Sequence, residues 1–119
     1  RAVAQIHLGL QDKLYIGNLD AQRDRGHAKD YVEGMRLMLQ QDKPQDYVLA
    51  TGKTTTVRDF ITLSFKQVGI QLNREGTGIQ EVGKNSSTGE VLVEVDENYF
   101  RPSEVDLLLG DPSKAKKEL

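Results

Sequence analysis

Residues 56–69 place the strongest constraint on how this chain can fold. Thr56, with Asp59 three positions later, matches a helix start in which a hydroxyl and an acid cap the first turn. Apolar and small side chains then recur at helical spacing. The predicted buried face consists of Val57, Phe60, Ile61, Ser64 and Val68. Gly69 is a typical residue just beyond a helix end. The segment therefore predicts one well-defined amphipathic helix.

Shorter patterns surround this helix, and they alternate between helix and strand. The other predicted helices are residues 3–10, 27–39, 101–109 and a last helix with Pro112 at its first position. The apolar face of the second of these consists of Ala28, Tyr31, Val32, Met35, Met38 and Leu39. The predicted strands are residues 13–17, 47–50, 70–74 and 91–95. Residues 18–26 are predicted as a loop, and residues 75–90 as a long loop or irregular hairpin. This irregular alternation favours an α/β fold.

Composition narrows the possible functions. The net charge is −2 with charges mixed along the chain, which argues against a nucleic-acid-binding module. There is no cysteine, so disulfides and thiolate metal sites are excluded. The sequence contains no apolar run long enough for a membrane span, and we expect a cytoplasmic protein. The first residue is not Met, and both ends fall inside helical patterns, so we expect these 119 residues to be part of a longer polypeptide.

Two segments concentrate the distinctive residues. Residues 23–32 read RDRGHAKDYV, and residues 99–105 read YFRPSEV. Further fragments in the same order are GNLD at residues 17–20, ATG at 50–52 and LGDPSKA at 109–115. Together they resemble the second half of the GDP-mannose 4,6-dehydratases, a family of extended short-chain dehydrogenases that act on nucleotide sugars. One departure is Arg25, where the family usually carries tryptophan.

The resemblance implies roles for particular residues. Arg23 and Arg101 would bind the diphosphate of the substrate, since a guanidinium is a planar, permanently charged fork with several donors. Pro102 would bias Arg101 toward an extended conformation. Glu104 would accept hydrogen bonds from the ribose hydroxyls, and one residue of the strand Leu14, Tyr15 and Ile16 would pack on guanine.

Each of these roles has a structural alternative. Arg23 could instead pair with Asp20, Asp24 or Asp30 at the surface. Glu104 could be an acid in the first turn of a helix, where the helix dipole favours it. The three strand residues could pack in the core, as we expect for at least two of them. His27 lies at the start of a predicted helix, and the resemblance implies a structural role for it, which is to orient the loop that carries Arg23.

The resemblance also implies a fold and an activity. The fold would be the C-terminal portion of an extended short-chain dehydrogenase of Rossmann type, mostly its small α/β substrate-binding lobe. The activity would be the NADP-dependent loss of water from GDP-mannose, which gives GDP-4-keto-6-deoxymannose on the way to GDP-fucose. The catalytic residues and the NADP site would lie in an N-terminal half absent from this sequence, since no tyrosine here has a lysine four residues later. A homo-dimer or homo-tetramer is expected.

Two alternatives to this activity stay open. The chain could belong to a related GDP-sugar reductase or epimerase, or it could be a GDP-sugar-binding fragment without catalysis. Two apparent phosphate motifs are rejected on the residues themselves. Residues 50–54 read ATGKT but lack the earlier glycine of a P-loop, since Tyr47 stands there, and Glu81 replaces the third glycine of a dinucleotide fingerprint beginning at Gly76. The two histidines lack metal-ligand spacing, so no metal site is expected.

Overall fold

The computed structural model of the chain describes residues 1–101 and 103–119. Pro102, and with it the predicted restraint on Arg101, lies outside the described residues. The helices are α1 (Ala2–His7), α2 (Ala28–Met38), α3 (Val57–Lys66) and α4 (Ser113–Glu118). The strands are β1 (Leu14–Ile16), β2 (Gln22–Asp24), β3 (Thr54–Thr56), β4 (Leu72–Glu75), β5 (Val82–Asn85), β6 (Val91–Val95) and β7 (Leu107–Leu108). Single 3₁₀ turns lie at Gly78–Gln80 and Glu97–Tyr99. The predicted α/β class is confirmed.

The chain forms two compact units. The first unit comprises Arg1–Ala21 and Thr56–Glu104, and the second comprises Gln22–Thr55 and Val105–Leu119. A four-stranded sheet in the order β1-β6-β5-β4 organises the first unit. β1 runs parallel to β6, whereas β4, β5 and β6 are antiparallel neighbours. The core of this unit consists of Leu19, Ile61, Phe65, Leu72, Leu92 and Val93.

Helix α3 begins as predicted, and its predicted inner face is correct except at Phe60. The Thr56 hydroxyl accepts a hydrogen bond from the Asp59 N–H at 3.0 Å, so the predicted cap is confirmed. Gly69 adopts the positive φ expected beyond a helix end. Ile61 and Phe65, one turn apart, enter the core, and Phe65 is completely buried. Phe60 is 48% exposed. Its predicted place on the buried face is therefore wrong, because the sheet meets the side of the helix that carries residues 61 and 65.

The second unit is built on a three-stranded sheet in the order β3-β2-β7. β2 and β7 are parallel, with Gln22 opposite Leu107. Two predictions fail here. Residues 18–26 contain β2 although a loop was predicted, and residues 103–109 contain β7 instead of a helix. β2 and β3 read QRD and TTT, and such short polar strands carry no apolar alternation that a pattern can detect.

The connection before β3 also differs from the prediction. Residues 47–50 were predicted as a buried strand, but they form no strand within the described part of the second unit, and Val48 is 54% exposed. Their apolar composition is typical of a buried strand, but a segment forms a strand only where its backbone can hydrogen-bond to a neighbouring strand. β5, inside the predicted loop or irregular hairpin of residues 75–90, does find such neighbours in β4 and β6.

Helix α2 forms as predicted, with an exposed apolar face. His27 is its N-cap residue, and the His27 Nδ1 accepts a hydrogen bond from the Lys29 N–H at 3.2 Å. Val32, Met35 and Leu39 lie one helical turn apart on the predicted apolar face and are 63%, 55% and 84% exposed. Periodicity therefore identified the helix correctly, but within the described residues these three members of its apolar face are exposed, whereas Tyr31 and Met38 are half-buried.

Candidate substrate-binding residues

In the first unit, the two parallel strands β1 and β6 end side by side, and the loop after β6 carries two of the candidate residues. Ile16, the last residue of β1, lies opposite Val95, the last residue of β6. The Asp96 N–H donates to the Ile16 carbonyl at 2.9 Å, which extends the pairing by one step. Ligands commonly bind beyond the carboxyl ends of parallel strands, where the outgoing loops provide backbone and side-chain groups. The loop that leaves β6 carries Arg101 and then Glu104.

The strand predicted to line a base pocket presents its three side chains in two directions. Leu14 and Ile16 are partly buried and pack against the core of the first unit. Tyr15 alternates to the opposite face and is 50% exposed. Of the three predicted candidates, Tyr15 is therefore the one that a ligand can reach.

Arg101 and Glu104 lie in irregular chain after the 3₁₀ turn. Arg101 is exposed and, within the part of the chain that the structure describes, makes no hydrogen bond or ion pair. Glu104 is half-buried. The alternative of Glu104 as a first-turn acid does not hold, because the described residues around it form no helix.

In the second unit, Arg23 lies in the middle of β2. Its Nη1 donates to the carbonyl of Gln22 at 2.9 Å and to the carbonyl of Val105 at 2.7 Å. These two bonds hold one edge of the guanidinium against the backbone that leads into β7. A guanidinium has five N–H donors, so a bond to the backbone does not by itself prevent it from also binding an anion.

Two acids considered as alternative partners of Arg23 make other bonds. The Asp20 carboxylate accepts from Arg58. Asp24 accepts from the Thr51 N–H at 2.9 Å, from the Thr51 hydroxyl at 2.6 Å and from the Gly52 N–H at 2.9 Å. The hydrogen bonds from Thr51 and Gly52 hold the pKa of Asp24 below its ordinary value. The same bonds show why residues 50–54 form no phosphate cradle: backbone donors that a P-loop aims at phosphate are occupied by Asp24.

A buried ion network in the first unit was missed from the sequence. Glu81 is 5% exposed and accepts two hydrogen bonds from Arg58, at 2.8 and 2.6 Å, and one from Arg74 at 3.1 Å. The pKa of Glu81 is held below its ordinary value, first by the Arg58 hydrogen bonds, and the pKa of Arg58 rises above its usual range. One feature of the sequence could have indicated an acidic partner for Arg58. This residue lies in the first turn of α3, where the helix dipole disfavours a cation that has no counter-charge.

An apolar groove of about 310 Å³ lies in the second unit, between α2, residues 49–51 and α4. Such a groove is the usual first candidate for a ligand site. Its charged lining residues are Asp30, Glu33 and Lys116, so among the described residues that line it there is no guanidinium to bind a diphosphate. None of the six predicted substrate-binding residues lines it.

The turn at Gly76, where a dinucleotide fingerprint would begin, does not have the geometry that such a fingerprint needs. A dinucleotide needs a glycine-rich turn from a strand into a helix, with free backbone N–H groups. Gly76 instead follows β4 and leads into a 3₁₀ turn, and its α-carbon faces the Gln80 carbonyl so closely that an added Cβ would lie 2.4 Å from that oxygen. Residues 1–101 and 103–119 contain no cluster of three potential metal ligands. No helix in that part of the chain is long and apolar enough to cross a membrane.

Comparison with known proteins identifies the family. The family model described as GDP-mannose 4,6 dehydratase matches residues 1–119. A GDP-mannose 4,6-dehydratase of Sinorhizobium fredii is 57% identical over the whole chain, which covers 34% of that relative. Proteins of Dictyostelium discoideum and Homo sapiens, both named GDP-mannose 4,6 dehydratase, are 55% and 53% identical over the whole chain, which covers 33% and 32% of them. The chain thus spans about a third of the length of these relatives. It belongs to the GDP-mannose 4,6-dehydratase family.

Proposed function

We propose that this chain supplies the GDP-binding side chains of a GDP-mannose 4,6-dehydratase, which converts GDP-mannose to GDP-4-keto-6-deoxymannose and water. The observation that carries the proposal is the family match across all 119 residues, which includes both arginine segments. Binding of the GDP part of a substrate can orient its sugar at a reacting centre located elsewhere in the protein.

Arg101 is proposed as a ligand of the diphosphate. The exposure of Arg101 and its place beyond the carboxyl ends of β1 and β6 support this role. A diphosphate is multiply charged, and an arginine can bind it through two parallel N–H donors. Lysine at this position would keep the charge but lose the planar fork.

Arg23 is proposed as a second ligand of the diphosphate. Its two bonds to the Gln22 and Val105 carbonyls support this role, because they fix the side chain before any ligand arrives. A long side chain that is already ordered loses less conformational entropy on binding.

Two further contacts complete the proposed recognition of GDP. Glu104 would accept from the ribose hydroxyls, a role suited to an ionised carboxylate with two acceptor oxygens. Tyr15 would pack on guanine, and its 50% exposure beside the core-facing Leu14 and Ile16 makes it the accessible member of that strand.

The chemistry itself is proposed to lie outside these residues. Because the turn at Gly76 lacks the form of a dinucleotide fingerprint, we propose that the cofactor and the catalytic groups are held by a part of the protein that precedes these residues. A homo-dimer or homo-tetramer and a cytoplasmic location also belong to this proposal.

The direct test is to incubate the intact protein with GDP-mannose and to follow loss of water by mass spectrometry. A product lighter by one water molecule, with a 4-keto group, supports the dehydratase. A product of unchanged mass points to an epimerase. A reductase would leave GDP-mannose unchanged and, supplied with GDP-4-keto-6-deoxymannose and a reduced nicotinamide, would add two hydrogens across the 4-keto group. GDP-mannose binding without turnover points to a binding protein.

A further inference from the structure

Gly17 is the residue immediately after β1, and space alone requires it to be glycine. A Cβ at this position would lie 2.2 Å from the carbonyl oxygen of Tyr99 and 2.8 Å from its carbonyl carbon. Both are backbone atoms, so no side-chain rotation could relieve the clash. Gly17 does not have a positive φ. The backbone conformation therefore tolerates other residues, and the close approach of the Tyr99 peptide does not.

Tyr99 ends the 3₁₀ turn Glu97–Tyr99, and Asp96 holds the beginning of that turn. The Asp96 N–H donates to the Ile16 carbonyl at 2.9 Å, which ties the turn to the end of β1. The Asp96 carboxylate accepts from the Asn98 N–H at 2.8 Å, and its carbonyl accepts from the Tyr99 N–H at 3.0 Å. The 3₁₀ turn Glu97–Tyr99 is therefore fixed to β1 at two points, and Arg101 follows it by two residues.

We infer that Gly17 and Asp96 are positioning residues for Arg101, and that they set where its guanidinium meets the diphosphate. This inference rests on the proposed role of Arg101. A bidentate contact depends on the placement of both partners. A methyl group added at residue 17 would push the turn away from β1 and so weaken the contact. Gly17 and Asp96 do not touch the ligand themselves.

The test separates positioning from ordinary packing by a double-mutant cycle in the intact protein. GDP-mannose affinity is measured by calorimetry for wild type, Gly17→Ala, Arg101→Ala and the double variant. We expect Gly17→Ala to weaken binding about tenfold in the wild-type background and less than about twofold in the Arg101→Ala background. A residue that merely stabilises the fold would show the same factor in both backgrounds, and that result would overturn the inference.

Gly83→Ala is the matched control. Gly83 also lacks a positive φ, and an added Cβ would press on the Val93 side chain in the core, at 3.1 Å. This variant adds the same methyl group in the same unit, so it should lower the melting temperature while leaving GDP-mannose affinity within about twofold of wild type. Equal losses of affinity in Gly83→Ala and Gly17→Ala would contradict a positioning role.

Asp96 provides a second route if Gly17→Ala does not yield folded protein. Asp96→Ala removes the cap and should weaken GDP-mannose binding only when Arg101 is present. Asp96→Ser keeps a capping oxygen and should restore the affinity. If Arg101→Ala binds as tightly as wild type, the proposed site fails. If Arg101→Ala weakens binding but neither positioning substitution does, only the inference fails.

Discussion

At the residue scale, the least expected feature is the carboxylate of Glu81 between two arginines. Its side chain is 7% exposed, and both arginines donate to it directly. Arg74 also donates through Nη2 to the Arg58 carbonyl at 2.7 Å and to the Thr62 hydroxyl at 2.6 Å. The network therefore ties α3 to β4 and to the residue before β5. Breaking such a buried pair leaves charges uncompensated, which is costly even where forming the pair gains little.

The substitution Glu81→Gln tests this network. The amide keeps the shape but removes the buried counter-charge of Arg74 and leaves Arg58 with only the exposed Asp20, so we expect the first unit to lose about 3 kcal/mol of stability. Native-state hydrogen exchange of the α3 amides in the intact protein measures the loss. Glu75→Gln is the control, because Glu75 pairs with Lys84 while 60% exposed and its substitution should cost less than about 1 kcal/mol. Equal protection in wild type and Glu81→Gln would show that the network adds nothing.

The lowered pKa of Glu81 also predicts a pH dependence. The ordinary pKa is 4.5, and the folded value lies below it, so the unfolded chain binds a proton more readily in acid. The stabilisation by Glu81 is therefore fully present above pH 4.5 and decreases as pH falls through the folded pKa. Protection of the α3 amides measured from pH 7 to pH 3.5 should fall more steeply in wild type than in Glu81→Gln. Parallel slopes for the two proteins are the opposing result.

At the element scale, sequence patterns located the helices better than the strands. α3 was found from its predicted cap at Thr56 and its apolar period, whereas α2 was found from its apolar period alone. β2 and β7 were missed because two or three residues without alternation leave nothing to read, and their pairing partners lie far along the chain. The buried face of α3 depended on the position of the sheet, so Phe60 was placed wrongly. Sequence patterns therefore predicted the helices, which depend on neighbouring residues, but not the strand pairs or the buried face, which depend on distant ones.

The cap of α3 gives a prediction at this scale. Thr56→Ala removes the acceptor for the Asp59 N–H, and we expect a loss of about 1 kcal/mol. Thermal unfolding and hydrogen exchange of the first turn of α3 would detect it. Ser64→Ala is the control, since the Ser64 hydroxyl bonds back to the Phe60 carbonyl within the helix and its loss should be nearly neutral or slightly stabilising. A Thr56→Ala protein as stable as the Ser64→Ala protein would argue against the cap.

At the scale of the whole molecule, the sequence motifs located the family but not the surroundings of each candidate residue. Arg23, in the second unit, is braced by two backbone carbonyls, whereas Arg101, in the first unit, lies exposed beyond two parallel strands. Neither environment could be predicted from the motifs. The carbonyl of Val105 is distant in sequence from Arg23, and the position of Arg101 depends on the pairing of β6 with β1. The alternation of Tyr15 against Leu14 and Ile16 was readable in principle, once β1 was known to have one core-facing side.

The central claim is that these residues bind the GDP part of the substrate, and titration of the intact protein with GDP tests it most directly. We expect Arg23→Ala and Arg101→Ala each to weaken GDP binding by about 1.5–3 kcal/mol, which is the range for hydrogen bonds to charged groups, with NADP retention unchanged. Arg36→Ala is the control, because Arg36 pairs with Glu33 on the exposed surface of α2. Wild-type affinity in both Arg23→Ala and Arg101→Ala would contradict the account.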